Sequence, residues 1–83
     1  MLTIRVLCFA QIKEALGRDE TVLDIPEGSS AQDAVRILFR EHGASKKLDS
    51  LPLRYAVNGE FRPESTELSS GDLLAPIPPV AGG

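Results

Sequence analysis

Ser30-Ala31-Gln32-Asp33-Ala34-Val35-Arg36-Ile37-Leu38-Phe39-Arg40-Glu41-His42-Gly43 is a stretch with a helical period and a signal at each end. Ser30 can accept a hydrogen bond from the first turn, and Asp33, three positions on, completes the Ser-x-x-Asp start signal. Ala34, Val35 and Leu38, with Phe39 at the margin, form one apolar stripe, while Arg36 and Arg40 lie four apart on the other side. Gly43 suits the left-handed residue that closes a helix. His42, the chain's only histidine, sits where a side chain can interact with the helix dipole, so it is expected to be a helix-end residue rather than a catalyst. A helix of this kind needs an apolar surface to cover.

The surface is supplied on both sides of it. Upstream, residues 2–9 alternate as a first strand, with Leu2, Ile4, Val6 and Cys8 on one face and Thr3, Arg5, Leu7 and Phe9 on the other. The period then changes: Ile12 and Leu16 are four apart and Gly17 follows, which makes a short helix. Thr21, Leu23 and Ile25 alternate with Val22 and Asp24 as a second strand, ended by Pro26-Glu27-Gly28 and antiparallel to the first.

Downstream, residues 44–52 form a polar connection anchored by Leu48 and Leu51. Leu53-Arg54-Tyr55-Ala56-Val57 is a third strand, and Asn58-Gly59 is a hairpin turn. Glu60-Phe61-Arg62 is short enough only for an edge strand, which suits Pro63. Residues 68–72 turn again and Leu73-Leu74-Ala75 begins the last strand. Pro76, Pro78 and Pro79 are expected to stop it from continuing as an internal ladder member. The expected class is α+β, with a mixed sheet of about four to five strands on one main helix and a short additional helix.

Composition narrows the function. The chain has 83 residues, 42% of them hydrophobic and 25% charged, and carries a net charge of −3, which fits one small folded domain and leaves little room for a private active-site cleft. There is no basic stripe with interleaved aromatics to hold nucleic acid, since Lys46-Lys47 is too short a cluster. No Cys/His set has metal-ligand spacing, so no metal is expected. The single cysteine, Cys8, falls with the core set and excludes an intramolecular disulfide framework, which suits a reducing cytoplasm. The apolar start is interrupted by Arg5 and is too short to span a membrane.

The remaining stretch is Pro76-Ile77-Pro78-Pro79-Val80-Ala81-Gly82-Gly83, where rigid prolines hand over to two glycines. Residues 1–79 are assigned to the folded domain and residues 80–83 to a flexible tail. A terminal carboxyl has a reference pKa of roughly 3.3–3.7, so it is an anion at neutral pH and resists nucleophilic attack until activated. Glycine has no Cβ to collide with the walls of a narrow channel. Four residues beyond Pro79 extend at most about 13 Å, enough to enter a neighbouring protein's pocket.

Four segments carry a resemblance: residues 6–14 with Gly17, Ala56-Val57-Asn58-Gly59, residues 68–72, and Pro78-Pro79-Val80-Ala81-Gly82-Gly83. In that order and approximate spacing they resemble the small, sulfur-carrying subunit of molybdopterin synthase, a ubiquitin-like β-grasp family. The resemblance implies the β-grasp fold and a defined chemistry. An adenylating enzyme related to those that activate ubiquitin uses ATP to convert Gly83 into an acyl-adenylate, and a sulfur donor system then leaves a thiocarboxylate. No cofactor is held tightly by the carrier itself. The synthase large subunit supplies a basic pocket and catalytic side chains, and the thiocarboxylate donates sulfur to a cyclic pyranopterin monophosphate to build the molybdopterin dithiolene, in a heterotetramer. Gly83 is then the reacting residue and Gly82 the slender approach to it, with Ala81, Val80, Pro79, Pro78 and Ile77 lining the partner groove. The family commonly carries aromatic residues where this chain has Pro76 and Ile77, which implies a smaller or differently shaped contact there. The other readings are a sulfur carrier for thiamine or transfer-RNA thiolation, a protein modifier joined to lysine through Gly83, and a plain interaction module.

Overall fold

Eight elements follow one another in the computed structural model, which describes residues 1–79. They are β1 (Leu2–Leu7), α1 (Ala10–Leu16), β2 (Glu20–Ile25), α2 (Ala31–Glu41), α3 (Ser45–Leu48), β3 (Arg54–Val57), β4 (Glu60–Arg62) and β5 (Leu73–Ile77). The strands form one mixed sheet in the order β2-β1-β5-β3-β4. β1 is antiparallel to β2 and parallel to β5, and β3 is antiparallel to both β5 and β4. This is the α+β, β-grasp arrangement, and the last strand lies in the middle of it.

The central helix forms as its ends dictate. Ser30 Oγ accepts from Asp33 N–H at 3.1 Å while Asp33 Oδ2 accepts from Ser30 N–H at 3.0 Å, a complete capping box. Ala31, Ala34, Val35, Leu38 and Phe39 are buried against the sheet, and Gly43 takes the left-handed φ of 67° beyond the helix. From the strands come Ile4, Val6, Leu23, Ile25, Tyr55, Val57 and Leu74, and Ile12, Leu16 and Leu48 close the ends of the core. Among the described residues no helix is long and apolar enough to cross a membrane.

Two expectations are corrected. The connection after Gly43 contains a further helix, α3, with no side-chain cap at Ala44. It exists because burial of Leu48 holds the turn, a tertiary cause that a four-residue window does not display. The other correction concerns Pro76, which does not end the last strand. β5 continues through it to Ile77, with Pro76 opposite Tyr55 and buried in the core.

The geometry explains why proline is tolerated inside the sheet. Asn58 N–H donates to Leu73 C=O, so the backbone groups of Leu73, Ala75 and Ile77 turn toward β3 and those of Leu74 and Pro76 toward β1. The parallel ladder to β1 consists of Arg5 with Leu73 and Val6 with Leu74 and goes no further. The amide hydrogen that Pro76 lacks would have pointed to a side where pairing has already stopped.

Candidate functional site

The site is built from the base of the C-terminal segment outward. Asn58, at φ 53° in the hairpin turn, clamps the start of β5: its N–H donates to Leu73 C=O at 2.8 Å, its Oδ1 accepts from Leu73 N–H at 2.9 Å, and its Nδ2 donates to Asp72 Oδ1 at 3.0 Å. Asp72 also accepts from Ser69 N–H at 2.8 Å and, through its carbonyl, from Arg5 N–H at 3.0 Å. Gly71 N–H donates to Thr3 C=O at 2.8 Å. The base is therefore tied to β1 on one side and to the hairpin on the other, and the strand that follows has a fixed direction.

Of the predicted groove residues, Ile77 is half-buried, Pro78 is buried and Pro79 is exposed. Val80, Ala81, Gly82 and Gly83 lie outside the described residues. Ile77, Pro78 and Pro79 form one wall of a surface groove of about 350 Å³ whose other wall is Phe9, Ala10, Gln11 and Glu14. Phe9 stays 45% exposed at the start of α1. Ala10 follows in the left-handed region at φ 47°, a conformation that costs an L-residue about 1–2 kcal/mol. Alanine gives no warning of such a turn, so this wall beside Ile77, Pro78 and Pro79 is not legible in the sequence.

A second surface continues from the same root. On the sheet face turned away from the helices, Ile77 stands opposite Arg54, and Ala75, Ala56 and Phe61 form a row across β5, β3 and β4. Phe61 is 58% exposed, and the Arg54 guanidinium lies over its ring at 4.2 Å. An aromatic face with a cation stacked on it is a surface suited to a protein partner. The hairpin register places Phe61 opposite Ala56, but an edge strand of three residues carries no sequence pattern that marks it as a binding surface.

Other groups read as structural. Cys8 is buried, and burial pushes its thiol pKa up, away from the thiolate that nucleophilic chemistry needs. His42 is the C-terminal cap of α2, its N–H bonded to Leu38 C=O at 3.2 Å. Among the described residues no group of three or more His, Cys, Asp or Glu side chains could hold a metal ion.

Comparison with known proteins agrees with this geometry. The chain is 35% identical to a molybdopterin synthase sulfur carrier subunit of Chlamydomonas reinhardtii, over 99% of this chain and 100% of that protein. It is 33% identical to the protein of that name in Dictyostelium discoideum, over 95% and 94% respectively. Its fold superposes on the crystal structure of SAMP1 from Haloferax volcanii with a TM-score of 0.82 at 26% identity, covering 98% and 99% of the two chains. At 19% identity it also shares its fold, with a TM-score of 0.63, with a chain in a complex of subunits 1 and 2 of the molybdopterin-converting factor of Helicobacter pylori, covering 99% of this chain and 100% of that one. The family model described as the ThiS family matches residues 6–83, and the chain belongs to that family.

Proposed function

We propose that this protein is the sulfur carrier of a molybdopterin synthase. The observation that carries the reading is the full-length similarity to sulfur carrier subunits, joined to a chain that runs from a clamped strand through Pro78 and Pro79 into Gly82-Gly83. Gly83 is the reacting residue. Its carboxylate attacks the α-phosphorus of ATP in a partner adenylating enzyme and expels pyrophosphate. Sulfur from a donor then displaces AMP from the acyl carbon, leaving a thiocarboxylate.

The thiocarboxylate sulfur is transferred to a cyclic pyranopterin monophosphate in the pocket of a large synthase subunit, and two such transfers complete the dithiolene. Gly82 threads the channel, and Ala81 and Val80 with Pro79, Pro78 and Ile77 line the groove at its mouth. The prolines limit the entropy lost when the tail is immobilised, because their φ angles are already set. The anchored root keeps that loss confined to the few residues beyond it.

Intact mass spectrometry after incubation with the adenylating enzyme, ATP and a sulfur donor tests this directly. The expected change is one oxygen replaced by sulfur at Gly83; an unchanged mass with a demonstrably active cognate enzyme rejects it. Similarity to SAMP1 of Haloferax volcanii and, at 25% identity, to a protein of Methanosarcina acetivorans named small archaeal modifier protein 1 favours a second reading as a protein modifier. That reading requires an isopeptide bond between Gly83 and a lysine, detectable as a branched peptide after digestion.

A further inference from the structure

β2 and β4 are the two margins of the sheet, and only one is blunted. β4 is three residues long and runs directly into Pro63, which has no amide hydrogen to offer an incoming strand. β2 runs six residues without a proline. Cys8 N–H donates to Asp19 C=O at 2.7 Å, so by alternation Thr21, Leu23 and Ile25 turn their backbone groups toward β1. Those of Glu20, Val22 and Asp24 turn outward. On that side the described residues provide only a 3.5 Å contact from the Thr21 hydroxyl to the Val22 carbonyl.

Because Leu23 and Ile25 point into the core, the side chains of Glu20, Val22 and Asp24 share the sheet face turned away from the helices. Val22 is 63% exposed between the two carboxylates. We propose that β2 is a receiving edge for an extended segment of another protein, one that presents a basic, an aliphatic and a second basic residue at alternate positions opposite Asp24, Val22 and Glu20.

Charge selects this occupant over a second copy of the chain. Two β2 strands paired antiparallel about Val22 would set Glu20 of each copy opposite Asp24 of the other, and like charges directly opposite are destabilising. A segment with lysine or arginine at those two places reverses the sign of both contacts. The two carboxylates are not equivalent. Glu20 is already held by Arg5 through bonds of 2.9 and 3.0 Å, whereas among the described residues Asp24 accepts only the Thr3 hydroxyl at 2.7 Å, so the cation opposite Asp24 contributes more. None of these residues belongs to the C-terminal segment, so the proposal stands apart from the carrier reading.

The test uses the full chain and two synthetic peptides, Thr-Lys-Thr-Val-Thr-Lys-Thr and the same sequence with glutamate for lysine, with amide exchange followed by NMR. The lysine peptide is expected to slow exchange at Glu20, Val22 and Asp24 by about tenfold or more, and the glutamate peptide to leave it unchanged. Asp24→Lys is expected to reverse that preference. Val22→Pro, which deletes an outward amide without touching the bonds to β1, should abolish the protection at Glu20 and Asp24. Equal effects of the two peptides overturn the proposal, as does no slowing with either. Protection that rises with protein concentration in the absence of peptide overturns it in favour of self-pairing. Asp24→Lys decides the matter alone should Val22→Pro fail to fold.

Discussion

The two faces of β5 do different work over the same five residues. Leu74 and Pro76 point under the helices and are buried with the core, whereas Leu73, Ala75 and Ile77 point to the other, bare side of the sheet, where Ala75 is covered by its neighbours and Leu73 and Ile77 are half-buried. The bare side is itself divided. Near β2 it is polar, with Arg5 holding Glu20 and Thr3 holding Asp24. Near the root of the C-terminal segment it is apolar, with Ile77, Ala75, Ala56 and Phe61. A strand whose alternate residues serve different masters separates stability from recognition: what is changed on one face should leave the other largely intact.

The hardest test of that separation is Leu74→Ala. It removes a fully buried side chain from the centre of the sheet and should cost about 2–5 kcal/mol in denaturant unfolding. Next is Asn58→Ala, which loses the Asn58 bonds to Leu73 N–H and Asp72 and places alanine at positive φ, an expected loss of about 1–3 kcal/mol. It should also loosen the root, seen as faster amide exchange at Leu73. If exchange there stays slow, the clamp is not what fixes the strand.

A smaller effect, about 1 kcal/mol, is expected for Ser30→Ala, which removes one half of the capping box. The other half has a pH signature. The Ser30 N–H, followed by the Ser30 hydroxyl, holds the Asp33 carboxyl below its ordinary range. A depressed folded-state pKa contributes stability that is present above the unfolded value and lost as pH falls through the folded one. Urea midpoints measured from neutral pH down through about pH 4 and below should therefore fall less steeply for Asp33→Asn than for the parent. Parallel curves would remove Asp33 from the acid limb.

The smallest stability changes, about 1 kcal/mol or less, are expected for Phe61→Ala and Ile77→Ala on the bare face. If the proposed carrier role is right, their effect should appear instead as slower adenylation of Gly83 by an adenylating enzyme at limiting enzyme concentration. If either variant unfolds as readily as Leu74→Ala, the division between the faces fails.

Much of this arrangement is legible in the sequence wherever local chemistry and tertiary structure agree. The capping box at Ser30 and Asp33, the glycine stops at Gly17 and Gly43 and the Asn58-Gly59 hairpin each have a mechanism that acts within a few residues, and each was expected. α3 was not, because it depends on the burial of Leu48 by distant neighbours. Pro76 misled for a related reason: proline excludes a ladder position only if the missing amide faces a partner strand, and that depends on where the ladder to β1 ends. Of the candidate site, the sequence points to Ile77, Pro78 and Pro79 as residues, but not to their neighbours: Phe9 and Ala10 and the stacked pair Arg54 and Phe61 are brought close to them only through the parallel pairing of the last strand with the first and the hairpin beside it.

The central position of β5 has a mechanical side. Its hydrogen bonds run across the strand, to β3 along most of its length and to β1 at its start. Tension applied through residue 79 acts along the strand axis, so these bonds are loaded together in shear rather than opened one at a time. Load entering at Pro79 is therefore shared by the whole ladder rather than met one bond at a time.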